Sequence, residues 1–192
     1  MTKTTAAPPD DPSLKKALAR FTKQADRGSA LIATAWVDDC LTECVRGTFR
    51  PDKKVVADLL RPDGALGTFG SRIKLAYLLD VIDPTAYHDL ELLRRIRNTF
   101  AHGRQDLRFT TAAVKSRCRE FHAVKAAKLS GWTITSPKQQ ALVTAYFLAE
   151  YLLSSKPRKR DPLLDTADTY GSWIRRTVKS QSIALAAEAV GV

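Results

Sequence analysis

Residues 83–103 read DPTAYHDLELLRRIRNTFAHG. Asp83 is a good N-cap, and Pro84 behind it occupies the first helical position, where a missing N–H costs nothing. Leu92, Leu93, Ile96 and Phe100 then fall at i, i+1, i+4 and i+8 and make one apolar stripe at the helical period. Gly103 is placed to end the helix as a residue just past its C-terminus. The spacing predicts a helix from Asp83 to about Ala101, the most strongly patterned in the chain.

The flanking segments repeat the helical pattern. Upstream, 71–81 (SRIKLAYLLDV) carries Ile73, Leu75, Ala76, Leu78 and Leu79 on one face, and a short helix is expected over Lys53 to Leu60. Between them, RPDGALGTFG (61–70) is a glycine-rich loop that lacks both phosphate-cradling signatures, G-x-G-x-x-G and G-x-x-x-x-G-K-S/T. Gly28 breaks the pattern before SALIATAWVDDCLTECVR (29–46), whose apolar residues fall on most sides and predict a central buried helix. A helix from Ser13 to about Asp26 precedes it. Downstream, Thr110 or Thr111 caps one helix reaching about Lys128, with a basic face of Lys115, Arg117, Arg119, Lys125 and Lys128. A loop with Gly131, Trp132 and Pro137 leads to an apolar helix over 138–153.

No stretch alternates as a strand does. The expectation is therefore an all-α fold, a single helical bundle of about six helices with a peripheral C-terminal helical extension. Its parts are a disordered tail (1–12), the helical domain (13–153), a basic hinge (154–161, SSKPRKRD) and peripheral C-terminal helices (162–192).

Composition narrows the function classes. The chain has 192 residues, 44% of them hydrophobic, enough for one core. No apolar run approaches the roughly 20 residues of a membrane span, and the N-terminus lacks a signal-peptide core, so a cytoplasmic protein without membrane contact is expected. Cys40, Cys44 and Cys118 have no C-x-x-C spacing and read as buried apolar thiols rather than a disulfide or zinc framework. Asp39 and Glu43 form an acidic edge one turn apart. Without supporting histidines it reads as solvated or arginine-paired, and no metal or cofactor is expected.

The net charge is +11, and residues 94–128 supply +8 of it from ten basic and two acidic groups. Arg94, Arg95, Arg104, Arg108, Lys115, Arg117 and Arg119 are the candidate residues for binding nucleic acid or an acidic protein partner. At the start of this segment stands Arg97-Asn98-Thr99-Phe100-Ala101-His102. It combines a permanent cation with the side chain that titrates near neutral pH. At about 100° per residue, Asn98 and His102 share a face that Arg94 extends, whereas Arg97 and His102 lie about 140° apart. The two meet only if the helix end turns or if two copies pool them across a dimer axis. Arg97, Asn98 and His102 assembled in that way could cleave RNA without a metal: histidine moves the proton and arginine stabilises the charge on the pentavalent phosphate. Alternatively, His102 is a helix-end residue favoured by the dipole. His88 and His122 are expected to be surface or half-buried residues rather than ligands.

The segments RGSALIATAWVDDCL, LLRPDGALGTFGSRIKLAYLLDVI, YHDLELLRRIRNTFAHG and LRFTTAAVKSRCREF, spanning about residues 21 to 122, resemble the mannitol operon repressor (MtlR, also written MltR) family. This implies an all-α fold without a helix-turn-helix and negative regulation of transcription, with protein contact as one route. RNTFAH is also similar to the HEPN superfamily of helical domains, many of them dimeric ribonucleases with an R-x4-6-H motif. Carried over, that motif implies Arg97, Asn98 and His102. The leading expectation is a non-enzymatic regulator, a homodimer binding through its basic face. The alternative is a metal-independent endoribonuclease.

Overall fold

A computed structural model describes residues 21, 23–103, 106–129, 134–154 and 169–180. The expected tail at 1–12, most of the Ser13–Asp26 helix, Arg104, Gly131, Trp132, most of the basic hinge and, of the expected C-terminal helices, 162–168 and 181–192 lie outside these residues.

Among the described residues there are eight helices and no strand: α1 (Asp26–Arg46), α2 (Lys53–Leu60), α3 (Phe69–Leu78), α4 (Pro84–His102), α5 (Ala112–Glu120), α6 (His122–Leu129), α7 (Pro137–Ser154) and α8 (Tyr170–Ser180). The all-α bundle expected from the helical periodicity is what the chain forms. Its helices outnumber the expected six partly because the helix read across 110–128 is two. At Phe121 the backbone opens to φ −54°, ψ 126°, outside the helical region, and the ring turns fully into the core.

α4 forms as its sequence dictates. The Asp83 carboxylate accepts the N–H groups of Thr85 and Ala86, both at 2.8 Å. Leu90, Leu92, Leu93, Ile96 and Phe100 are buried. The same Asp83 side chain accepts the backbone N–H of Tyr170, so one cap joins the start of α4 to the start of α8. Helix α3 begins at Phe69, two residues earlier than its apolar pattern implied. Thr68 and Ser71 cap one another's backbone N–H groups there. In the loop before it, Gly67 has a steric reason: a Cβ there would lie 2.3 Å from the Pro62 carbonyl oxygen.

The most enveloped helix is α7, buried from Gln140 to Leu152 on nearly every side, with α1 packing along it. This corrects the expectation of a central 29–46 helix. α1 starts at Asp26, runs through Gly28 and buries only one face (Ala30, Ala33, Val37, Leu41, Val45), leaving Ile32 exposed. Asp39 is exposed and the half-buried Asp38 is paired with Arg72, which is why two carboxylates are tolerated mid-helix. The C-terminal extension contributes α8, which packs against α6, α4 and α7 and seats Tyr170 and Ile174 in the core.

Candidate partner interface and the Arg97–His102 turn

The C-terminal half of α4, the loop after it and α5 carry the basic residues. Their fates differ. Arg94 is committed to its own helix, with Nε 3.1 Å and Nη2 2.8 Å from the two carboxylate oxygens of Glu91. Those hydrogen bonds, more than any other effect, raise its pKa above the ordinary arginine value. Arg95 is exposed and lies 3.9 Å from Glu91. From α5, Arg117 reaches back and donates to the Thr99 hydroxyl at 3.1 Å, while that hydroxyl donates to the Arg95 carbonyl at 2.8 Å. Arg108, Lys115 and Arg119 are exposed. The α4 end and α5 are therefore tied together at Thr99, with Arg117 on the side of α5 towards α4 and Lys115 and Arg119 about 160° round the helix from it.

Arg97 is exposed and donates to the Asn98 side-chain oxygen at 3.1 Å. His102 is exposed on the final turn. No hydrogen bond joins Arg97 to His102 among the described residues, in keeping with their angular separation. Helix α4 stays helical through His102, so the chain end does not turn to bring them together. Gly103 adopts φ −79°, ψ 173° rather than a left-handed cap. Glycine is required there for space, since a Cβ would sit 2.4 Å from the Thr99 carbonyl oxygen.

Several neighbours were not read from the sequence. Arg27 of α1 donates to the Gly103 carbonyl at 2.7 Å, one residue past His102. Asp26 accepts the Phe109 N–H at 2.9 Å, fastening the loop that leads to α5. Arg72 of α3, only 8% exposed, grips both oxygens of Asp38 at 2.7 Å and the Leu66 carbonyl at 2.6 Å. Burial raises the Asp38 carboxyl above its usual range, and the hydrogen bonds and charge of Arg72, with the charge of Arg97, pull it back. Arg97 thus lies in the field of the Asp38–Arg72 pair. Apart from the Leu66 contact, six residues from Arg72, these contacts join residues 34 or more apart in sequence, and only the fold reveals them. The remaining acidic edge is as read: Asp39 is exposed and Glu43 pairs with Arg46 at 3.2 Å.

At the opposite end of α4, Asp89 is fully buried and accepts the N–H groups of His122 and Ala123, each at 2.8 Å, which caps α6 from a distance. Cys40 and Cys118 are buried and Cys44 half-buried. Burial pushes their thiols up to about 11, 12 and 11 respectively.

A family model described as "Mannitol repressor" matches residues 22–158, which include every helix of this surface. The chain belongs to the mannitol repressor family. Its curated relatives include the mannitol operon repressors of Escherichia coli K12 and Escherichia coli O6:H1. Each is 33% identical over 104 residues, covering 52% of this chain and 53% of the relative. The match thus spans about half the length of these relatives. The structure of the MtlR–HPr complex from Escherichia coli superposes with a TM-score of 0.58 at 20% identity. That match covers 73% of this chain and 99% of that one, and it shows a shared fold.

Proposed function

We propose that this member of the mannitol repressor family is a negative regulator of transcription that works as a non-enzymatic helical binding module. It comprises residues 13–153, with the basic 154–161 segment and the C-terminal helices appended. Its working surface is the basic face of α4 and α5, and its partner is an acidic surface on another protein, with nucleic acid as the alternative. The relative whose fold it shares was solved with HPr, so a protein partner of that kind is the first candidate.

The observation that carries the reading is the layout of the basic residues. Arg108, Lys115 and Arg119 are exposed, while Arg117 bridges α5 to α4 from the other side of the helix, a charged face spread around α5 rather than a converging site. Such a face steers association and sets specificity. A homodimer is part of the same reading.

The test is a titration of purified protein with HPr and with duplex DNA over a salt series, comparing wild type with a Lys115→Glu/Arg119→Glu variant. Binding to HPr that weakens at least tenfold in the variant supports the proposal. Equal binding by both proteins overturns the assignment of this face. DNA binding alone, with a steep salt slope, transfers it to nucleic acid.

One observation favours a second reading. Arg97, Asn98 and His102 all remain accessible on the last two turns of α4, as a ribonuclease site shared between two copies requires. That reading demands RNA cleavage in chelator that Arg97→Ala and His102→Ala both abolish.

A further inference from the structure

Asp89 is an unusual carboxylate for a soluble helix bundle. It is 0% exposed, and no lysine or arginine pairs with it among the described residues. Its partners are two backbone N–H groups and the His88 imidazole, with the His122 ring beside that of His88. His88 Nδ1 lies 3.3 Å from Oδ1, and the His88 and His122 rings meet edge to face with centroids 4.7 Å apart. A buried carboxylate without a full counter-charge is costly. Burial is the main reason its pKa is raised.

The donor atoms of His88, Asp89 and His122 lie within 4.8 Å of one another. In a tetrahedral zinc site, ligand atoms about 2.0–2.2 Å from the ion stand roughly 3.4 Å apart. The cluster is therefore open by about 1.4 Å. His88 Nδ1 and Asp89 Oδ1, 3.3 Å apart, already stand at that spacing, so the closure required is at the His122 ring.

The carboxylate itself is already aimed. The N–H groups of His122 and Ala123 hold both of its oxygens, the kind of outer support that fixes a metal ligand in place. A second observation points the same way. The Tyr170 hydroxyl is buried with no hydrogen-bond partner, and it feels the charge of Asp89. One polar group in the field of this carboxylate is therefore unsatisfied.

We infer that His88, Asp89 and His122 form a binding site for a divalent transition-metal ion of the zinc class, with a fourth position open to water. Two imidazoles and one carboxylate suit Zn2+, Ni2+ or Cu2+ and disfavour Mg2+ or Ca2+. The ion replaces the His88–Asp89 hydrogen bond, supplies the missing counter-charge and ties α4 to the start of α6. From the sequence alone His88 and His122 are expected to be surface or half-buried residues rather than ligands. His122 is 33 residues from Asp89, and nothing in the sequence pattern links them.

The test is titration of the full, tag-free chain with Co2+ followed by visible absorption, and with Zn2+ by calorimetry. Wild type takes up one ion per chain, Zn2+ displaces the cobalt band, and Tm rises with Zn2+. His88→Ala and His122→Ala each weaken binding by about 100-fold or more. His102→Ala, about 21 Å away along α4, leaves binding unchanged. His88→Gln and His122→Gln are read beside the alanine variants, so that loss of fold, checked by circular dichroism, is told apart from loss of a ligand. Absence of stoichiometric uptake by wild type, or uptake unaltered in both histidine variants, overturns the assignment. Uptake lost equally in His102→Ala would show adventitious surface histidine binding and overturn it as well.

Discussion

Replacing Arg72 by methionine isolates the ion pair that joins α3 to α1. Arg72 is 8% exposed, its Nε and Nη2 grip both oxygens of Asp38 at 2.7–3.0 Å, and its Nη1 satisfies the Leu66 carbonyl at 2.6 Å. The methionine keeps most of the packing volume but strands a carboxylate and a carbonyl. Removing one partner of a buried pair costs about 3–5 kcal/mol, against about 0–1 for an exposed one. The Asp38 side chain keeps 25% of its surface open to water, so the expected loss lies towards the lower end, about 2–4 kcal/mol. For a chain of this length that lowers Tm by about 4–16 °C. Urea unfolding should show a lower midpoint with an unchanged slope. Adding Asp38→Leu removes the stranded charge and should recover half or more of the loss.

The pH dependence has a definite sign. Asp38 is already raised by burial, and Arg72 pulls it down, so the variant carries an Asp38 raised further. A carboxyl whose folded pKa exceeds its unfolded value binds protons more tightly when folded. Stability then falls as pH rises through the folded pKa and recovers as pH drops towards the unfolded value. The Arg72→Met variant should show that slope more steeply than wild type. A loss below about 0.5 kcal/mol, or a double variant as unstable as the two single losses added, would refute the reasoning.

Other expectations follow from single contacts. Asp83→Ala removes the α4 cap and the acceptor for the Tyr170 N–H, and should cost about 1–2 kcal/mol while speeding amide exchange in α8. The cysteines should resist thiol reagents at neutral pH under native conditions, because burial holds all three thiols protonated, with Cys44 reacting first as the half-buried one. His102→Ala should change stability by under about 1 kcal/mol, the scale of a helix-end dipole interaction.

The sequence made the helices legible where a cap and an apolar stripe coincide. Asp83, Pro84 and the Leu92–Phe100 stripe gave α4 nearly residue by residue. Two things escaped it. The break at Phe121 is invisible to periodicity because the basic face continues across it, and the ring's burial is a tertiary effect. Residues 29–46 and 138–153 are both rich in small apolar residues, and only packing decides that the second is enclosed and the first buries one face. The basic face was legible as a charge count, but its internal pairing was not. Arg94 is spent on Glu91, Arg117 on Thr99, and Arg27 arrives at Gly103 from 76 residues away. The Asp89 cluster was illegible for the same reason: its members are unremarkable singly and meet only through the α4–α6 contact.

The most direct measurement is incubation of the purified chain with labelled RNA in EDTA, wild type beside His102→Ala. A non-enzymatic binding module predicts intact RNA with both proteins. Cleavage by wild type that disappears in His102→Ala would contradict it and make the end of α4 a ribonuclease site.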